Sequence, residues 1–299
     1  MSARNIIELI ILAALWGASF LFMRIAVPEF GAVALIELRV LIAGLVLLPF
    51  WWMRESASER VSVMQHWHHI FVVGLLNSSI PFVLFAYSML YITGGMAAIL
   101  NGTAPIWGAV VAWIWLRNKL TLNGALGLLV GFLGVVVLVS GELSVPAQGK
   151  GLAIAAAAFA PFLYGIAANY TSEKLKGVSA FSIATFSQLA AAFSLLPLLF
   201  WFMPSQMPSL GAWMALLALA VLCTSLAYLM YFRLLVEIGS TKAITVTFLI
   251  PMFGSLWGAL FIEEKITLMM IGGMGTILLG TALVVGIVKF RRLENVSPG

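Results

Sequence analysis

Three charges in this chain fall inside long apolar runs, Arg24, Glu37 and Arg39, and they are the first residues to examine for chemistry. An unpaired charge at the centre of a bilayer costs at least a few kcal/mol, so each needs a partner or a task. Arg24 and Glu37 flank a short hairpin turn at residues 27–31; similar depth makes an ion pair between them the expectation. Arg39 has no such neighbour. A guanidinium there can hold a carboxylate through two parallel hydrogen bonds, or it can hold carbonyls at the ends of neighbouring helices, and the sequence leaves both open. Reactions at covalent bonds lack their residues, since there is neither a Ser-His-acid set nor a Gly-Lys-Ser/Thr phosphate cradle. The histidines His66, His68 and His69 form one cluster without the additional ligands and base of a metalloenzyme. No metal and no cofactor is expected.

Around these charges, polar and aromatic residues recur near the middle of the runs: Trp16 and Ser19, then Asn77, Phe82 and Phe85, then Asn101 and Thr103. The second half answers with Tyr164, Asn169, Thr224, Tyr228, Thr245 and Thr247. Aromatic walls with sparse hydrogen-bonding groups suit a small zwitterion or a metabolite with an apolar side chain; taken singly, each aromatic also fits core packing. Pro105 and Pro251 remove a backbone donor and disturb the carbonyl one turn earlier, at Asn101 and Thr247. Those carbonyls then line a cavity, or the prolines only kink their helices. Either way they are the expected helix-break or gating positions. No carboxylate is central, Glu8 lying toward one edge and Glu37 toward the other. In a membrane carrier, such a distribution would disfavour proton-driven export of cations and favour passive or weakly coupled movement.

The elements that position these residues follow from composition. The 299 residues are 63% apolar and 9% charged, against about 25% charged in a soluble protein, and the mean hydropathy is +1.10. Runs of about 20 apolar residues span a bilayer core of roughly 30 Å. They predict ten helices at 5–26, 31–53, 68–90, 94–116, 121–140, 150–171, 178–202, 210–232, 241–262 and 266–289. The N-terminal run is expected to be retained as a span and not removed as a signal peptide. Only residues 54–67 have soluble character. Trp51, Trp52, Tyr91 and Trp201 stand near predicted helix ends, as interfacial belt residues do. With the N-terminus inside, twelve Lys and Arg lie on the inner side and only Lys150 and Lys265 clearly outside, so both termini are expected in the cytoplasm. The basic balance is thus an orientation signal and not the footprint of a nucleic-acid site.

The chain also repeats itself. At an offset of 146, Pro251 falls on Pro105, Gly254 on Gly108, Lys265 on Lys119, Gly273 on Gly127 and Gly280 on Gly134; at 148, Gly165 falls on Gly17 and Leu195-Leu196-Pro197 on Leu47-Leu48-Pro49. Ser187 stands at the image of Arg39. Two units are expected, 1–146 and 147–299, each of five helices. Five is odd, so the second copy enters the membrane with the opposite orientation. Inverted repeats of this kind characterise secondary transporters with a site at the repeat interface.

These residues carry a family resemblance over nearly the whole chain. LWGASF in the first helix, LRV in the second, TAPIWGAV and LIPMFGSL, and EEKIT before a Gly-rich last helix resemble the drug/metabolite transporter superfamily, specifically EamA-type exporters, and most nearly the YddG-type amino-acid exporters. LRNKLT departs from the pattern where the second half keeps its acidic pair. The resemblance implies a ten-helix, all-α carrier of a bacterial inner membrane that exports small metabolites, amino acids among them, by alternating access. The alternatives are efflux of drugs or other amphipathic metabolites and, from another class, an integral-membrane enzyme. The oligomeric state stays open, a monomer included.

Overall fold

The computed structural model describes residues 2–117, 121–143, 148–238 and 246–288. Among these the chain is helical throughout, with no strand. The long helices are α1 (Ala3–Phe30), α2 (Ala32–Arg54), α3 (Trp67–Ser88), α4 (Gly94–Ile114), α5 (Leu122–Leu143), α6 (Lys150–Lys174), α7 (Ala180–Leu199), α8 (Leu210–Ile238), α9 (Val246–Ile262) and α10 (Leu268–Val285). Nine of them are long and apolar enough to cross a membrane, and α9 is a shorter apolar helix of 17 residues. The protein is a multi-pass membrane protein. Bulky apolar side chains such as Leu129, Leu133 and Val136 on α5 face outward, as a lipid-facing surface requires.

Local chemistry sets the ends. The hairpin between α1 and α2 is a single residue, Gly31, at φ 72, a conformation in which a Cβ is disfavoured. Residues 54–67, read as a polar loop, fold a short helix (Ala57–Gln65). Its Glu59 accepts the Ser179 N–H at 2.8 Å and Glu55 accepts the Ser179 hydroxyl at 2.7 Å, so this segment secures the start of α7.

Three helices depart from uniform α geometry. Residues Leu75–Ser79 within α3 and Ala218–Leu226 within α8 are π-helical, and they fall on one another at the 146-residue offset. Helix α4 is two pieces, Gly94–Asn101 and Ala104–Ile114, joined by a turn at Gly102 and Thr103. Pro105 sits in the first turn of the second piece, where its missing N–H is harmless. Pro251 lies inside the continuous α9 and packs on Gly102, where an added Cβ would lie 3.1 Å from the proline Cγ.

Packing in lipid depends on close approach and not on a hydrophobic difference between helix and solvent, and small residues mark each crossing. Helix α1 packs on α9 and α6 packs on α4, while α2 pairs with α7 and α5 with α10. A Cβ on Gly17 would meet the Gly254 nitrogen at 2.8 Å, and one on Gly165 the Gly108 nitrogen at 2.8 Å. Between α5 and α10, Gly127 abuts Gly280 and Gly134 abuts Gly273. Helix α9 packs mainly on the first piece of α4.

The expected Arg24–Glu37 pair does not form. Arg24 donates to the Met89 carbonyl and its Nε lies 3.9 Å from Glu264 Oε1. The turn after α9 explains this: Glu263 adopts φ 57, and the chain folds back so that the Glu264 side chain lies over Gly258. The Glu264 carboxylate then accepts the N–H groups of Gly94 at 2.8 Å and Gly95 at 3.1 Å, while Thr93 caps Met96. A carboxylate at a helix N-terminus is stabilised by the amides and the helix dipole together, by up to about 2 kcal/mol when partly buried. Glu37 is 1% exposed, and its Oε2 has no partner. Trp51, read as an interfacial residue, is buried between α2 and α7 with its indole N–H on Ser182 Oγ at 2.8 Å; Trp52, Tyr91 and Trp201 are exposed.

Candidate functional site

The two α4 pieces, the π segments of α3 and α8, the middle of α1, α2 and α6 and the first turns of α9 converge on an internal cavity of about 310 Å³. Helix α1 contributes Trp16, Ser19, Phe20 and Met23; α2 contributes Arg39. Asn77, Phe82 and Phe85 come from α3, Asn101 and Ala104 from the break in α4, and Tyr164 from α6. Opposite them stand Cys223, Thr224, Tyr228 and Tyr231 of α8 and Val246, Thr247 and Ile250 of α9. A volume of this size lies at the small end of ligand pockets and suits one compact metabolite.

Arg39 is the charge of the cavity. It is 4% exposed, with its Nε donating to Thr224 Oγ1 at 3.1 Å and its Nη1 3.7 Å from the Met23 sulfur. Its guanidinium carbon lies 3.9 Å from the centroid of the Phe82 ring, a cation–π geometry. The π segment explains the Thr224 contact: its hydroxyl donates five residues back to the Leu219 carbonyl at 2.8 Å, which leaves the oxygen's lone pairs toward Arg39. No carboxylate among the described residues pairs with Arg39, and none lines the cavity.

Much of the remaining wall is aromatic. Trp16 packs on Tyr231 and Tyr228 with ring centroids 5.2 and 6.4 Å apart, and Phe85 packs on Phe20 and Tyr164 at 5.7 and 6.3 Å. Asn77 and Tyr228 both line the cavity. Beyond Phe20 and Phe85, toward Gly31, buried Met23, Val27, Phe30, Met89 and Met96 close the bundle.

Of the residues singled out from the sequence, Trp16, Ser19, Arg39, Asn77, Phe82, Phe85, Asn101, Tyr164 and Tyr228 meet at this cavity. Thr103 and Asn169 do not. Thr103 is 2% exposed and its hydroxyl donates to Leu100 across the α4 break at 2.7 Å. The Asn169 amide donates to the Gly108 and Gly165 carbonyls at 2.9 and 2.8 Å, clipping α6 to α4. Local backbone carbonyls win these side chains. Thr245 lies outside the described residues. The Ser19 hydroxyl is engaged by the Trp16 carbonyl at 2.5 Å. The sequence reading passed over Phe20, Met23, Tyr231 and Ile250, apolar or interfacial residues that only the three-dimensional arrangement distinguishes from ordinary packing. The histidine cluster stands apart, with His69 Nδ1 2.7 Å from the Tyr170 hydroxyl.

An all-helical membrane bundle enclosing a small aromatic cavity defines a class, a polytopic protein that handles small molecules within the bilayer. Comparison with known proteins gives the family. Residues 4–140 and again 151–286 match the EamA-like transporter family, and the chain belongs to it. An uncharacterized transporter of Archaeoglobus fulgidus is 26% identical over 93% of this chain and 98% of its own length. Uncharacterized transporter YvbV of Bacillus subtilis is 23% identical over 94% and 91%, and protein PecM of Dickeya dadantii 22% over 95% and 93%. A solved crystal structure aligns with 96% of this chain and 98% of its own at a TM-score of 0.64 and 18% identity, a likeness of fold.

Proposed function

We propose that the protein is a secondary carrier that exports small carboxylate-bearing metabolites, including amino acids with apolar or aromatic side chains, by alternating access across a bacterial inner membrane. The observation that carries this reading is the guanidinium of Arg39, without an ion-pair partner among the described residues, facing an aromatic-walled cavity. A carboxylate bound there completes the hydrogen bonding of the arginine, and the rings take the apolar body. We read 1–146 and 147–299 as inverted five-helix repeats with both termini in the cytoplasm. The exchange of contacts supports this: α1 meets α9 as α6 meets α4, and Gly17 approaches Gly254 as Gly165 approaches Gly108. Pro105 and Pro251 are the positions about which the α4 and α9 segments re-angle.

The test is flux into liposomes containing the purified protein, over amino acids, organic acids and organic cations. Movement of at least one small carboxylate at ten times the protein-free rate is expected. A panel in which nothing exceeds the protein-free rate contradicts the proposal, and a preference for cations favours drug efflux instead.

A further inference from the structure

The charge of the occupied cavity points to a narrower substrate class. We infer that the site takes a singly negative organic anion, a carboxylate on an apolar or aromatic body, in preference to a zwitterion, so that each export turnover carries one negative charge outward. This rests on the carrier reading above and goes beyond it.

Arg39 brings one positive charge to a cavity whose described lining holds no acidic side chain. Glu8, Glu264 and Glu37 all lie outside the lining. Glu8 pairs with Arg233 at 3.3 Å and Arg4 at 3.0 Å. Glu264 caps α4. Glu37, two residues from Arg39, makes no ion pair with it and is absent from the lining. A zwitterion, with no net charge of its own, leaves the occupied site at +1, the same as the empty one, and its ammonium group meets only neutral acceptors. An anion brings the occupied site to zero. Burying an uncompensated charge away from water is heavily penalised, and an ion pair with good geometry offsets that penalty.

The donor geometry fits an anion as well. Nε is engaged by Thr224, Nη1 has only a thioether acceptor, and Nη2 has no hydrogen bond among the described residues. The Nη1 and Nη2 pair is the edge that binds a carboxylate bidentately. Phe82 covers the guanidinium face, so the approach is edge-on. Tyr164, Tyr228 and Trp16 bound the remaining space with rings. They offer an apolar body a surface, and the polar groups beside them, Ser19, Asn77 and Asn101, are neutral, so a second charge finds no acidic partner in the described lining.

Charge movement follows from the same account. An anion carried alone leaves a cell whose interior is negative down the electrical gradient, and 100 mV supports roughly a 50-fold outward concentration ratio without a coupled proton. The absence of a carboxylate from the described lining is consistent with a carrier driven in this way.

Three ligands with one frame test the inference: 3-phenyllactate, an anion; phenylalanine, a zwitterion; and phenylalaninamide, a cation. Titration calorimetry on the full detergent-solubilised chain at about pH 6, where the three ligands are anion, zwitterion and cation, is expected to give phenyllactate at least tenfold tighter than phenylalanine, with no measurable binding of the amide. Arg39→Gln removes the difference and Arg39→Lys retains part of it. In proteoliposomes, an inside-positive potential is expected to raise phenyllactate uptake over protein-free vesicles several-fold. Phenylalanine binding as tightly as phenyllactate, or phenyllactate flux indifferent to potential, overturns the anion assignment while leaving the carrier intact. Failure of phenyllactate to move while other members of the wider panel do overturns this inference alone, and failure of the whole panel overturns the carrier reading and this inference with it.

Discussion

Two polar cross-links occupy related places in the two halves, and they differ in one respect. Arg39 of α2 donates to Thr224 in the π segment of α8, and Gln188 of α7 donates to Ser78 in the π segment of α3 at 2.8 Å. Ser78 and Thr224 are 146 residues apart, the repeat offset, and Gln188 follows Ser187, the image of Arg39, by one residue. Both links tie a second helix to a third-helix hydroxyl of the other half. The Gln188 link is neutral and fully buried, with its Oε1 unpartnered; the Arg39 link is charged and faces the cavity. A neutral buried hydrogen bond contributes only about 1 kcal/mol net, whereas an unpaired buried guanidinium is costly and persists where it has work to do. On the proposed reading the scaffold is shared between the halves, and the asymmetric residue marks the site.

Breaking the charged link has the largest expected effect. Arg39→Gln, which makes the first half resemble the second, is expected to lower flux of the preferred carboxylate about 10- to 100-fold, the worth of a charge-assisted hydrogen bond, with thermal unfolding in detergent little changed. Next come the crossings that both halves share. Gly165→Ala and Gly17→Ala each set a Cβ within 2.8 Å of backbone on the facing helix and are expected to destabilise by about 1–3 kcal/mol each, read as matched losses in unfolding temperature. A loss confined to one of them breaks the correspondence between halves. Glu264→Gln weakens the cap on α4 and is expected to cost about 1 kcal/mol, with a smaller loss if salt already screens the contact with Arg24. The smallest effect belongs to the neutral link: Gln188→Leu is expected to stay within about 1 kcal/mol of wild type in stability and within twofold in flux.

How far the sequence specified this arrangement depends on the range of the interaction. Apolar runs are local properties, so the spans could be read directly; the glycines' recurrence was visible in the same way, but which of them meet across helices was not. The α4 break was legible in part, because Pro105 and Pro251 look alike in sequence. Gly102 and Thr103 let one helix open into a turn, while α9 stays continuous around Pro251. The π segments left no mark, since the apolar pattern of Leu75–Ser79 and Ala218–Leu226 is compatible with an ordinary helix. Arg24 was assigned the wrong partner because proximity along the hairpin suggested Glu37; the actual partners come from the Met89 carbonyl and from Glu264, swung back by a left-handed residue at Glu263. Thr103 and Asn169 looked like lining groups, and nearby carbonyls claimed both.

The central claim is that Arg39 in the cavity between the halves recognises the carboxylate of a carried molecule. Its most direct test is uptake of labelled 3-phenyllactate into proteoliposomes under an inside-positive potential, comparing wild type, Arg39→Gln and Gln188→Leu at equal protein incorporation. The expected result is wild-type and Gln188→Leu rates within twofold of one another, with Arg39→Gln near the protein-free rate. Equal uptake by all three, above protein-free vesicles, contradicts the claim.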